Sequence, residues 1–153
     1  MAGSLAGGAT AGVGATISTN SVTSTILAYI GSTDKKSITV DDILVNSQGI
    51  QNFNNLLAMG FGGGQVGVGG SSLANVVDAT VKSYIKENSS IVSATNLKIE
   101  ASDSTKVTGS VVAGAGAEYV AGGASVGVNK ITNTVEAYTE NNVNLNLSKS
   151  EIN

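Results

Sequence analysis

The chain contains no proline, cysteine, histidine, tryptophan or arginine. Without cysteine there are no disulfides and no thiolate metal sites. Without histidine and arginine, the usual general base and the usual bidentate clamp for carboxylates are both missing, which argues against an enzyme. Positive charge comes from eight lysines against eleven carboxylates, for a net charge of −3. The basic footprint of a nucleic-acid binder or of an anionic-membrane binder is therefore absent, and no nucleic-acid partner is expected. Aromatic residues make up only 4%, but the apolar fraction of 41% is enough for a core, so the chain is not disordered by composition.

What the chain has is a repeat. Asn20, Asn75 and Asn129 are each followed by an aliphatic residue (Val22, Val77, Ile131), then a threonine (Thr25, Thr80, Thr134), then a tyrosine (Tyr29, Tyr84, Tyr138). A fixed period of ~54 residues is the mark of stacked units rather than of one irregular globule. The repeats fall at approximately 5–55, 56–110 and 111–153, the last truncated, within a single segment covering 1–153. Met1-Ala2-Gly3-Ser4 carries no basic stretch followed by an apolar one, and the chain stops in mid-pattern at Ser150-Glu151-Ile152-Asn153. Both features lead to the expectation of a segment from a longer protein.

Each repeat opens with a glycine-rich block, at 5–17, 59–72 and 111–128. Helix is disfavoured there, because each glycine costs ~1 kcal/mol against alanine in a helix interior. Strict alternation follows. Ile131, Asn133, Val135 and Ala137 share one face while Lys130, Thr132, Thr134, Glu136 and Tyr138 share the other; Val77, Ala79, Val81 and Ser83 stand likewise against Asp78, Thr80, Lys82 and Tyr84. Period two with β-branched residues predicts strands with the aliphatic face buried and the three tyrosines outside. Shorter alternating runs, with Ile43 and Val45, Leu97, Ile99 and Ala101, and Val143, Leu145 and Leu147, predict further strands. Turns are expected at 31–34, 46–49, 87–90, 102–104 and 140–142. Helical spacing of Ile50, Phe53, Leu56 and Leu57 marks 49–59 as the one candidate helix.

These features predict an all-β parallel β-helix (β-solenoid) built from three ~54-residue repeats, with glycine at its compact corners. Either ~18 or ~27 residues per coil would divide the repeat evenly. With three coils per repeat, equivalent tyrosines would stand ~14 Å apart. Two alternatives are weaker. A transmembrane helix over 111–128 would carry Glu118 near its middle. A membrane β-barrel needs an apolar outer face, and here that face carries Lys, Glu, Asp, Thr and Asn.

Candidate sites are few. Residues 62–67 fit the glycine pattern of a phosphate loop, but no helix is expected to follow, and tight packing explains the glycines as well. Asn20, Asn75 and Asn129 read as structural repeat positions, at coil corners or stacked inward against neighbouring coils. Tyr29, Tyr84 and Tyr138 read as an exposed aromatic column, a possible contact surface for a glycan or protein. Asp41 and Asp42, adjacent in sequence, would point to opposite faces of a regular strand and so form no dyad. Asp34, Asp41 and Asp42 fit no calcium-loop spacing. Asn88-Ser89-Ser90 and Asn146-Leu147-Ser148 are formal glycosylation sequons. No catalytic, cofactor or metal residues are assigned.

The run from Gly122 to Tyr138, with its two variants upstream and the strand Asn96-Leu97-Lys98-Ile99-Glu100-Ala101, resembles the recurring unit of very large bacterial surface proteins of the filamentous-adhesin and leukotoxin type. The first copy departs from the pattern around Ser21, Ser24 and Leu27, and near Lys35-Lys36 it carries an insertion. The resemblance implies a parallel β-helix passenger exported by a type V (autotransporter or two-partner) route. It also implies an extracellular or cell-surface location, with host-cell surface proteins or glycans and neighbouring repeats as partners. Two other roles stay open: a toxin segment acting on membranes through the glycine-rich blocks, and a carbohydrate-active β-helix enzyme.

Overall fold

The computed structural model describes residues 2–31 and 37–153. The insertion expected near Lys35-Lys36 and most of the turn expected at 31–34 lie outside the described residues. Six strands are described, and among these residues there is no helix: β1 (Ala2–Ala6), β2 (Ala11–Ile30), β3 (Ser37–Thr39), β4 (Asp42–Ile85), β5 (Ser90–Thr139) and β6 (Asn144–Ile152). Absence of proline allows runs this long, since no residue in them lacks a backbone donor. The sheet order is β1-β4-β5-β3, with β2 also on β4 and β6 also on β5. β1 pairs with β4, β3 with β5 and β5 with β6, all in parallel.

The register settles the offset between paired rows. Ala2 pairs with Ala58, Ser37 with Ser90 and Ile99 with Ile152. Side chains bridge the same interval: hydrogen-bonded partners stand 55, 54 and 53 residues apart. One whole repeat therefore separates neighbouring rows, and the expected division into coils of ~18 or ~27 residues is corrected. A repeat length divisible by those numbers carries no information about where the backbone turns.

The chain divides into two compact units. In the unit formed by Met1–Val22, Asn52–Val77 and Lys106–Ile131, Ala58, Leu73, Val77 and Asn75 are buried together with the hydroxyls Thr16 and Ser71. Thr16 Oγ1 donates to the Met59 carbonyl at 2.5 Å, and Ser71 Oγ to that of Val112 at 2.8 Å. Glycine serves close packing here more than it serves corners. Gly64, with φ of 131°, is the one glycine of positive φ among the described residues. On either side of it the chain folds back so closely that a Cβ at Gly60 would overlap the Gly70 carbonyl, and one at Gly62 the Val68 carbonyl. Most of the other glycines lie within strands, so the expectation of glycine at corners holds at Gly64 and fails for the majority.

In the unit formed by Thr23–Gln51, Asp78–Thr105 and Thr132–Asn153, the core is Ile43, Val45, Ile85, Ile91, Leu97 and Ile99. Val81 and Ser83 are fully buried and alternate with half-buried Lys82 and Tyr84, as the period of two predicts. Ser83 and Ser47 share a hydrogen bond of 2.7 Å inside this core. The turns expected at 87–90 and 140–142 separate β4 from β5 and β5 from β6. At each, an asparagine takes the left-handed conformation that its short amide side chain tolerates, Asn88 at φ 61° and Asn142 at 58°.

Three local expectations are overturned. The candidate helix at 49–59 is part of β4, with Ile50 68% exposed, so its apolar spacing does not mark a buried helical face. The turns expected at 46–49 and 102–104 are strand as well, within β4 and β5. Both stretches lie in β4 and β5, which are hydrogen-bonded neighbours in the sheet, and backbone pairing there outweighs the turn preference of Asn, Ser and Gly.

Candidate aromatic surface

The side chains of Tyr29, Tyr84 and Tyr138 come together on one face of the second unit. Each stands at an outward position between two inward aliphatic or small residues: Ala28 and Ile30, Ser83 and Ile85, Ala137 and Thr139. Because the rows are one repeat apart, the rings stack directly. Their centroids are 5.3 Å apart for Tyr29 and Tyr84, with the planes 20° from parallel, and 5.1 Å and 3° for Tyr84 and Tyr138. The outward column is present, but at about one strand spacing per tyrosine rather than the ~14 Å that three coils per repeat would give. Tyr29 is 56% exposed, while the other two are half-buried.

Charged residues flank the column. Lys86 Nζ lies 5.9 Å from the centroid of the Tyr29 ring, within cation–π range. Lys82, two residues from Tyr84 on the same face, makes a 2.8 Å ion pair with Glu136, two residues from Tyr138. The hydrogen bond to Glu136 raises the Lys82 pKa above its ordinary 10.5, so the ammonium form is held. Burial between neighbours raises the Tyr138 phenol above its ordinary 10.0, with Glu140 adding to the effect and Lys82 opposing it. The result is a strip of stacked phenols with hydroxyls at the edge, one cation over an aromatic face and one internally neutralised pair. Such a strip can present flat apolar area together with hydrogen-bonding groups to a partner.

The three asparagines form a ladder in the first unit, with Asn75 buried, Asn20 half-buried and Asn129 exposed. Asn20 Nδ2 donates to Asn75 Oδ1 at 2.9 Å, and Asn75 Nδ2 donates to Asn129 Oδ1 at 2.7 Å. Asn75 is 2% exposed, so of the two placements open in the sequence, inward stacking is realised. Such a ladder pairs each amide with the one in the next row. The carboxylates are dispersed. Asp42 accepts from Asn96 at 2.6 Å, and Asp103 accepts from Thr105 at 2.7 Å and from Asn133 at 2.6 Å. Among the described residues no three of His, Cys, Asp and Glu converge on one point. No helix among them is long and apolar enough to cross a membrane. The glycines at 62–64 lie inside β4.

The Lys82–Glu136 pair and the placement of Lys86 are missing from the sequence reading. The signal was available: Lys82 and Glu136 occupy the same repeat position in successive copies, and opposite charges there are cross-row neighbours.

The chain matches no family model, no curated protein and no solved structure.

Proposed function

We propose that the chain is a β-solenoid in which each ~54-residue repeat makes one coil, and that it serves as a non-enzymatic structural and adhesive segment of a large secreted or cell-surface bacterial adhesin or leukotoxin. The observation that carries the reading is the tyrosine column. Three copies of one exposed aromatic position are aligned by the repeat into a continuous strip, 5.1 to 5.3 Å between rings. A buried hydrophobic row does not need a phenol, whereas contact surfaces are enriched in tyrosine. The amide ladder and the aliphatic rows support the rigid half of the proposal, since every row is held by side chains as well as by backbone. The resemblance of the Gly122–Tyr138 run to adhesin and leukotoxin repeats supports the extracellular setting and the assignment of a host-cell protein or glycan as partner.

The test is binding of the immobilised chain to cultured epithelial cells and to a glycan panel, compared with the triple variant Tyr29→Ser, Tyr84→Ser, Tyr138→Ser. Binding that falls about tenfold or more in a folded variant is the expected result. Equal binding by the variant, or no binding by the parent chain to either target, contradicts the adhesive reading. Dye release from liposomes by the parent chain would favour a membrane-active toxin segment in its place.

A further inference from the structure

Tyr84, in the middle of the aromatic column, has Tyr29 against one ring face at 5.3 Å and Tyr138 against the other at 5.1 Å, with the planes 20° and 3° from parallel. Both of its faces are therefore covered. A sugar ring or an aliphatic group packs on an aromatic side chain through the ring face, where the π cloud lies, so that mode of contact is closed at Tyr84. What the column turns outward is ring edge and hydroxyl, repeated every 5.1 to 5.3 Å from row to row.

Charge is balanced on both sides of this line of hydroxyls. At the outward positions two residues before the tyrosines, Lys82 is followed one repeat later by Glu136, and the two are ion-paired at 2.8 Å. At the outward positions two residues after them, Lys86 is followed by Glu140. Glu140 accepts the Glu87 backbone N–H at 2.8 Å, and Lys86 Nζ stands 5.9 Å from the Tyr29 centroid. Each flank thus holds one ammonium and one carboxylate. A second column of hydroxyls, Thr25, Thr80 and Thr134, occupies the outward positions four residues before the tyrosines, which is about 13 Å along the strands.

From this, and resting on the reading of the column as a contact surface, we infer that its ligand is an uncharged, linear, β-1,4-linked polysaccharide laid along the column, with sugar hydroxyls bonded to successive phenols. In such an extended chain each sugar advances by about one ring spacing, so every row meets an equivalent group. Peptides match the surface less well. Two residues of strand advance about 6.6 Å and one turn of polyproline helix about 9.3 Å, so either falls out of step with the rings within three rows. An α-helix has a pitch of about 5.4 Å, but it docks through an apolar stripe in an apolar groove, and both flanks of the column are charged. A polyanionic glycan would meet a carboxylate for every ammonium on either side.

The experiment titrates the full chain with cello-oligosaccharides and chito-oligosaccharides of one to three sugars. The Kd is expected to fall about tenfold or more from one sugar to three in at least one series; a Kd independent of length overturns the placement along the column. The deciding variant is Tyr29→Phe, Tyr84→Phe, Tyr138→Phe, which keeps the stacked rings and removes only the hydroxyls. Confirmed folded by circular dichroism, it is expected to bind the three-sugar probe about tenfold or more weakly than the parent. If it binds as well as the parent while the triple serine variant does not, ring area carries the contact and the inference fails, although the adhesive reading stands. Cell adhesion that is lost in the triple serine variant, with no binding to either oligosaccharide series or with preference for a sulfated or sialylated glycan, likewise overturns the inference alone. A parent chain that binds neither cells nor any glycan removes the adhesive reading and the inference with it.

Discussion

The side-chain amide of Asn75 donates to Asn129 at 2.7 Å while its carbonyl accepts from Asn20 at 2.9 Å, so one buried residue holds three repeats in register. The inward rows are otherwise made of small and aliphatic side chains that could slide by two residues at modest cost. An amide ladder cannot slide without stranding a buried polar group.

Asn75→Ala removes both hydrogen bonds and leaves the Asn20 donor and the Asn129 acceptor unpaired. An unpaired group costs ~1–3 kcal/mol when buried; the Asn20 amide is half-buried while water takes up the exposed Asn129 carbonyl, so the expected loss is ~1–3 kcal/mol. Asn129→Ala, at the exposed end of the ladder, costs less than ~1.5 kcal/mol. Urea denaturation of the two variants beside the parent chain checks the order. Equal losses would mean that the ladder does not carry the register.

Gly60→Ala places a methyl group on the Gly70 carbonyl, backbone that has no flexible end to move aside. Overpacking of this kind costs ~1–3 kcal/mol or more, whereas Gly116→Ala meets nothing within 4 Å and leaves stability within ~0.5 kcal/mol of the parent. The same denaturation measurement separates them, and a tolerated Gly60→Ala would show that the close approach is absent in solution.

Alkaline pH destabilises the chain. The folded Lys82 holds its proton above the ordinary 10.5, because of Glu136, and the folded Tyr138 holds its own above the ordinary 10.0, because of burial. In both cases the folded state binds the proton more tightly than the unfolded state. The stabilisation is therefore complete below the ordinary value and is lost as pH rises through the higher folded one. The denaturation midpoint stays level from about pH 7 to about pH 9 and falls above about pH 10, and Lys82→Met makes the fall shallower. A midpoint that rises above pH 10 would contradict both assignments.

Much of this arrangement was legible in the sequence, because period-two alternation is a direct image of a strand with one buried side. Val77, Ala79, Val81 and Ser83 are buried, and Tyr84 faces out, as that pattern requires. The turns at Asn88 and Asn142 were legible through the left-handed tolerance of asparagine. The path of the backbone between them was not. Asn46 to Gly49 and Ser102 to Ser104 have the composition of turns, yet a row with parallel neighbours has its backbone partners supplied by residues a whole repeat away. Local preference is then a minor term, and a window of ten residues does not contain the deciding one. Glycine misled for a different reason, since Gly60 and Gly62 answer to the carbonyls of Gly70 and Val68 facing them rather than to a special φ. The aromatic surface was legible as three residues and one face. Its spacing was not, because coil length was the quantity that divisibility could not supply.

The central claim is that successive repeats lie one strand spacing apart, and the tyrosine rings report it most directly. In a chain with isotope-labelled tyrosine rings, nuclear Overhauser contacts between rings are expected for Tyr29 with Tyr84 and for Tyr84 with Tyr138, whose centroids are 5.3 and 5.1 Å apart. Tyr119, 70% exposed, serves as the uncoupled control. If each repeat instead made two or three coils, equivalent rings would be ~10 or ~14 Å apart and those contacts would vanish, which would contradict the account.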